Sequence, residues 1–179
     1  MRLVPVKICC LLLLLGCEFS QAQETVWVKN SQWLQDQIST CRNGVAGVCQ
    51  SFPAGVLNQL FGINDFCPED KCVPASDVAF AITKDKKWIL LGKASNQSIL
   101  TRAQQMAQGG LPVVAIQTNV TNSMIAILMP GKPQKSTKWN MEVPLSVVTR
   151  PDSPKSSLYA GGINYVFADP DKVKLYTQK

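Results

Sequence analysis

Cys49 opens the run Cys49-Gln50-Ser51-Phe52-Pro53-Ala54-Gly55-Val56-Leu57-Asn58-Gln59-Leu60-Phe61-Gly62. Phe52, Val56, Leu57, Leu60 and Phe61 recur there at helical spacing, and Gly62 supplies a stop. Proline is tolerated in the first turn of a helix, so Pro53 places Cys49 at or just before the N-terminus. In that position unpaired backbone N–H groups and the positive end of the helix dipole favour the thiolate, the reactive state of cysteine. A cysteine nucleophile also needs a partner that takes its proton and returns it near neutral pH, the task for which imidazole is suited. The chain contains no histidine. The competing chemistry is oxidation. Beyond the N-terminal segment the cysteines are Cys41, Cys49, Cys67 and Cys72, an even set that allows two disulfides in an exported chain. Cys67 and Cys72 flank the turn-forming Pro68-Glu69-Asp70-Lys71 and form the simplest local pair. Zinc is disfavoured, because the Cys67/Cys72 spacing has no second knuckle. No cofactor is expected.

The elements that must hold these residues can be read on either side of Cys49. The segment from Asn30 to Cys41 begins with capping residues and puts Leu34, Ile38 and Cys41 on one face of a short helix. A third helix starts at Ser76 and carries Val78, Phe80 and Ala81, and a fourth runs from Ser98 to Gln108 before Gly109-Gly110. The pattern then changes. Leu111 to Gln117 and Met124 to Met129 are apolar, β-rich runs around a short polar turn, predicting a central antiparallel hairpin. Further strands are expected around Met141 to Val148, Ile163 to Phe167 and Val173 to Thr177, with Pro151 to Ser157 as a surface loop. The order predicts an α+β fold in which N-terminal helices pack on a central antiparallel sheet. Phe52, Phe80, Trp88 and Tyr165 read as core residues. Trp27 and Trp139, near predicted loop or strand edges, are candidates for stacking on a sugar or lining a groove.

Cys49-Gln50-Ser51-Phe52 opening a helix is followed by Trp88 and Leu91, then Ala103-Gln104-Gln105-Met106-Ala107-Gln108-Gly109-Gly110. After these come Val113-Val114-Ala115-Ile116 and Met124-Ile125-Ala126-Ile127-Leu128 with Pro130-Gly131. This progression resembles the papain-like cysteine amidases of the NlpC and CHAP superfamily. It is most similar to the small peptidoglycan amidase effectors of type VI secretion and their horizontally acquired relatives. The resemblance runs from Cys49 to Gly131, nearly half the chain, and rests on ordered spacing rather than on a single motif. It implies cleavage of peptide bonds in peptidoglycan stems, with Cys49 at the nucleophile position and a histidine at the start of a facing strand. Met124 occupies the position of that histidine, and neither Asn122 nor Ser123 can replace it. A thioether cannot exchange a proton, and losing the general acid costs about 10²- to 10⁴-fold in rate. Asn164 is a candidate orienting group for such a site. The resemblance therefore predicts a pseudoenzyme that binds wall-derived peptide or a protein partner through the old cleft. The alternatives are an active amidase or endopeptidase using Cys49, and a disulfide-bonded secreted inhibitor or adaptor.

Residues 1 to 16 combine Arg2 and Lys7 with a short apolar run, the layout of a secretory signal. Two cleavage readings overlap. Leu14-Leu15-Gly16-Cys17 looks like a lipobox, with Cys17 lipidated and anchoring a periplasmic lipoprotein to the membrane. Ser20-Gln21-Ala22 suits ordinary signal peptidase, giving a signal peptide over 1–22 and a single secreted domain over 23–179. Asn96-Gln97-Ser98 and Asn119-Val120-Thr121 are glycosylation sequons in a eukaryotic source. Of 18 basic residues, removing Arg2 and Lys7 leaves 16 against at most 12 acidic ones, a net charge of about +4 or slightly more. That balance suits a solvated surface or attraction to an anionic wall polymer. Nucleic acid is not expected, because the lysines are scattered and form no aromatic-studded basic stripe.

Overall fold

The computed structural model describes residues 26–118 and 123–179. The expected signal segment, both cleavage readings including Cys17, the sequon at Asn119 and Asn122 lie outside the described residues. A helical turn at 26–29 leads into α1 (Ser31–Arg42), followed by α2 (Ala46–Phe61) and α3 (Ala75–Lys84). Strand β1 (Trp88–Lys93) and helix α4 (Gln97–Gln108) precede the strand-rich remainder. This comprises β2 (Val113–Thr118), β3 (Ser123–Leu128), β4 (Gln134–Ser136), β5 (Met141–Val143), β6 (Leu145–Val148), β7 (Leu158–Gly162) and β8 (Lys174–Gln178).

Six strands form one antiparallel sheet in the order β1-β8-β2-β3-β6-β7, and β4 pairs with β5 separately. The expected hairpin is its centre: Val114 faces Ile127 and Ile116 faces Ile125 across β2 and β3. Side-chain alternation divides that hairpin between two cores. Val114, Ile116, Ile125 and Ile127 meet Leu34, Ile38, Leu57, Val78 and Ile82 from α1, α2 and α3. Val113, Ala115, Ala126 and Leu128 meet Leu100, Ala103 and Ala107 from α4, with Phe167 and Trp139. The α+β expectation holds, with helices on both faces of the sheet.

Several boundaries differ from the sequence reading, each for a local reason. Helix α2 starts at Ala46, so Pro53 lies inside it and Cys49 is one turn in. Gly62 closes it in a left-handed conformation at φ 66°, as its position predicts. Pro144 divides Met141 to Val148 into two strands that belong to different sheets. Ile163 to Phe167 is not a strand: Ile163–Tyr165 is a 3-10 turn, in which Val166 N donates to Ile163 O. The loop over 151–157 contains a 3-10 turn at Pro154–Ser156 and ends on a fully buried Ser157.

The aromatic residues exchange places with expectation. Phe80 is 68% exposed, because Val78, Ala79 and Ile82 make the inward stripe of α3 and leave position 80 on the outer side. Tyr165, in the 3-10 turn, is equally exposed. Trp27 and Trp139 are buried, which removes both from the sugar-stacking role. Trp27 packs edge-to-face on Phe61 with ring centroids 6.2 Å apart, and Trp139 belongs to the α4-side core. Phe52 and Trp88 are core residues as expected.

Candidate functional site

The first turn of α2 packs beside the end of β6. Val45 caps the helix, and Cys49 N donates to Val45 O at 3.2 Å as the first intrahelical bond. The unpaired N–H groups of the helix thus belong to the residues before Cys49, not to Cys49 itself. Pro53 then has an effect four residues back. It has no N–H to offer the Cys49 carbonyl, so a buried acceptor is left without its helical donor. Thr149 supplies the substitute: its Oγ1 donates to Cys49 O at 2.7 Å, and both residues are buried.

The Cys49 sulfur is bonded to Cys41, at the end of α1, across a separation of 8 residues. Both cysteines are fully buried. Cys41 Sγ also lies 3.3 Å from Ser157 Oγ, which accepts from Arg150 N at 2.9 Å. Arg42 clamps the same serine from outside, with Nε and Nη2 donating to Ser157 O at 3.0 and 2.6 Å. Arg150 Nη2 pairs with Asp152 Oδ2 at 2.9 Å, and this bond holds the Asp152 carboxyl below its ordinary pKa. The disulfide is therefore the centre of a polar cluster that ties α1, α2 and the segment after β6 together.

This arrangement corrects the nucleophile expectation. Cys49 carries no free thiol here, and a sulfur committed to a buried disulfide neither attacks a carbonyl nor titrates. Met124 does not face it either. Met124 pairs with Gln117 and packs against the α4-side core, on the sheet face opposite α2. Asn164 is elsewhere again. It follows β7 at the end where Gly162 pairs with Leu145, whereas Cys49 contacts Thr149 beyond the other end of β6. The length of β6 separates them, roughly 13 Å at strand rise. Asn164 packs on Gly162, where an added Cβ would stand 2.6 Å from Asn164 Oδ1. Cys49, Met124 and Asn164 are thus not brought together.

The other disulfide candidate is formed: Cys67 and Cys72 are bonded around a loop in which Glu69 and Asp70 take φ of 50° and 61°. Two disulfides are the chemistry of an oxidising compartment. Among the described residues no helix is long and apolar enough to cross a membrane, and no group of three or more His, Cys, Asp or Glu could hold a metal ion. The residues that sequence reasoning missed are Thr149, Ser157, Arg42 and Arg150. Thr149 left one legible trace, since Pro53 orphans the Cys49 carbonyl and a buried carbonyl requires a donor from somewhere. No protein-family model matches the chain, and no curated protein matches its sequence.

Beside the cluster runs an open groove lined by Arg42, Asn43, Gly44, Ser153, Pro154 and Lys155. Two of these side chains are cationic and none is acidic. Arg42 is oriented by its bonds to Ser157 O, leaving Nη1 uncommitted there.

Proposed function

We propose that the protein is an exported, non-catalytic binding domain on a cysteine-amidase-like scaffold, and that it recognises acidic wall-derived peptide. One observation carries this reading: the cysteine at the nucleophile's place is locked in a buried disulfide, in a chain with no histidine. The order of elements supports the scaffold, with a cysteine in the first turn of a helix that packs on an antiparallel sheet. The groove beside that turn supports the ligand. Arg42 and Lys155 favour carboxylates, which wall peptides carry, and a planar guanidinium held from one side can still take a carboxylate on the other.

Cosedimentation with purified sacculi, together with soluble muropeptide release, tests both halves. The expected result is binding that falls severalfold in Lys155→Glu, without release that depends on Cys49. Release lost in a Cys41→Ala/Cys49→Ala variant would overturn the non-catalytic reading, and absence of binding would overturn the wall-peptide reading.

A protein partner is the second reading, favoured by apolar exposure on α3 and β1. Phe80 is 68% exposed and Leu90 51%, and β1 is an edge strand. An adaptor that uses this surface would lose its partner in Phe80→Glu while retaining its fold.

A further inference from the structure

The link between α1 and α2 carries a reactive pair of its own. Asn43 closes α1 as its C-cap, at φ −80° and ψ 5°, and Gly44 follows at φ 90°. Both residues are exposed, and both line the groove beside the disulfide cluster. Asn43-Gly44 is the one asparagine–glycine pair in the chain, since each of the other asparagines precedes a residue with a side chain. That difference is chemical. An asparagine amide lies within reach of the next residue's backbone nitrogen, and the five-membered ring that joins them closes most readily where no Cβ crowds that nitrogen. Among the described residues the Asn43 amide has no hydrogen-bond partner, so its Cγ is free to turn. Elsewhere such amides are engaged: Asn30 Nδ2 donates to Val26 O at 2.8 Å, and Asn96 Oδ1 accepts from Ser98 N at 2.9 Å.

The nitrogen is what the fold restrains. Gly44 N donates to Cys41 O at 2.8 Å, while Asn43 N and Val45 N donate to Ser39 O and Thr40 O at 3.0 and 3.3 Å. At ψ 5° the Gly44 nitrogen is turned away from Cγ. Ring closure requires Asn43 to rotate far from that value, which breaks the bond to Cys41. Cys41 is itself pinned by its disulfide to Cys49 in α2. That bond spans a separation of 8 residues with the reactive pair inside it, so it limits the rotation while leaving the pair open to water.

We propose that Asn43 is a site of covalent modification, converting through a succinimide to aspartate and isoaspartate, and that the Cys41–Cys49 bond sets the rate. The co-reactant is water. The Gly44 nitrogen gives its proton to a solvent base and attacks Asn43 Cγ. The N–Cγ bond forms as Cγ–Nδ2 breaks, and Nδ2 takes up a proton and leaves as ammonia. Water then opens the imide. Cleavage of N–Cγ leaves an ordinary aspartate, whereas cleavage at the α-carbonyl routes the backbone through Cβ and adds a methylene between α1 and α2. Either product places a carboxylate in a groove whose charged lining is otherwise Arg42 and Lys155. The conversion is independent of what that groove binds.

The experiment keeps the disulfide-intact protein in mildly alkaline buffer at body temperature and samples it over weeks by ion exchange and peptide mapping, with fragmentation that separates aspartate from isoaspartate. One added negative charge and a mass gain of about one dalton are expected at Asn43 ahead of every other asparagine, with isoaspartate among the products. Cys41→Ala/Cys49→Ala should convert about tenfold faster, the ratio to which one lost backbone hydrogen bond corresponds. Gly44→Ala tests the ring closure in the disulfide-bonded protein. An added Cβ there meets no atom within 4 Å, so its cost is confined to the left-handed φ, and it should slow conversion severalfold. The proposal is overturned if another asparagine converts first, if aspartate forms without isoaspartate, or if Gly44→Ala converts as fast as the parent. Equal rates with and without the disulfide overturn the control assigned to that bond.

Discussion

The polar clusters on the two faces of the sheet solve the same problem by different means. At the α2 turn, Pro53 removes a donor and Thr149 restores it, Ser157 engages Cys41, Arg150 and Arg42, and both sulfurs are bonded. On the α4 side, glutamine amides donate to the carbonyls of Met129 and Gly131. Each cluster holds chain segments in register, the first through a disulfide and the Thr149 bond and the second through glutamine amides, and each leaves a buried atom over, Arg150 Nε in the first and Gln104 Oε1 in the second. The cysteine that draws the eye in the sequence belongs to the disulfide-bonded cluster.

The largest test of this contrast removes the disulfide. The chain-entropy relation gives ~2.5 kcal/mol for the separation of 8 residues between Cys41 and Cys49. Cys41→Ala/Cys49→Ala should therefore lower Tm by roughly 5–10 °C in calorimetry. The separation of 5 between Cys67 and Cys72 gives ~2 kcal/mol for the other bridge. Their accessibility should order the chemistry: under mild reductant the partly exposed Cys67–Cys72 bond should open first, as read by mass spectrometry after alkylation. Early opening of Cys41–Cys49 would mean that burial in the α2 cluster does not shield that bond.

The next test acts on a single hydrogen bond. Thr149→Val keeps the shape and orphans the Cys49 carbonyl, at a cost of about 1–3 kcal/mol in denaturant unfolding. In a Pro53→Ala background the new N–H can take the carbonyl, so the same substitution should cost much less. Equal costs in both backgrounds would sever the link between proline and threonine. On the other face, Gln105→Ala should change stability by no more than about 0.5 kcal/mol, since Gln105 is exposed and makes no structural bond that the fold needs.

The smallest effect is electrostatic. Arg150 keeps Asp152 ionised below the ordinary carboxylate range, so the pair stabilises the fold fully above about pH 4 and the contribution is lost as pH falls through the lowered value. Because the aspartate is more than half exposed, Asp152→Asn should cost under about 1 kcal/mol at pH 7 and progressively less as pH falls through the lowered pKa.

What the sequence disclosed follows from how local each signal is. The hairpin of β2 and β3 is legible because two apolar runs meet across a short polar turn, and α4 because its buried positions recur at helical spacing before two glycines. Strand β7 is hidden by composition, as Leu158-Tyr159-Ala160-Gly161-Gly162 has two glycines where β-formers are expected. Strand β1 reads as an unalternating apolar run, and its exposed Ile89 and Leu90 break the expected pattern. The start of α2 lies earlier than the sequence suggests, because proline usually marks a first turn and Pro53 is interior. Here a threonine nearly a hundred positions later makes an interior proline tolerable, and no local window contains both. Gln104 was visible as part of a run, but its spare acceptor is a property of three chain segments meeting.

Strand β8 lies between β1 and β2, pairing Tyr176 with both Leu90 and Val114. The sheet is thus joined by a strand made long after its neighbours, and until it arrives β1 has no partner and both cores remain unsealed. Closure of the domain therefore waits on pairing between segments far apart in sequence, and a chain shortened by its last strand would keep its helices and its central hairpin but not its lock.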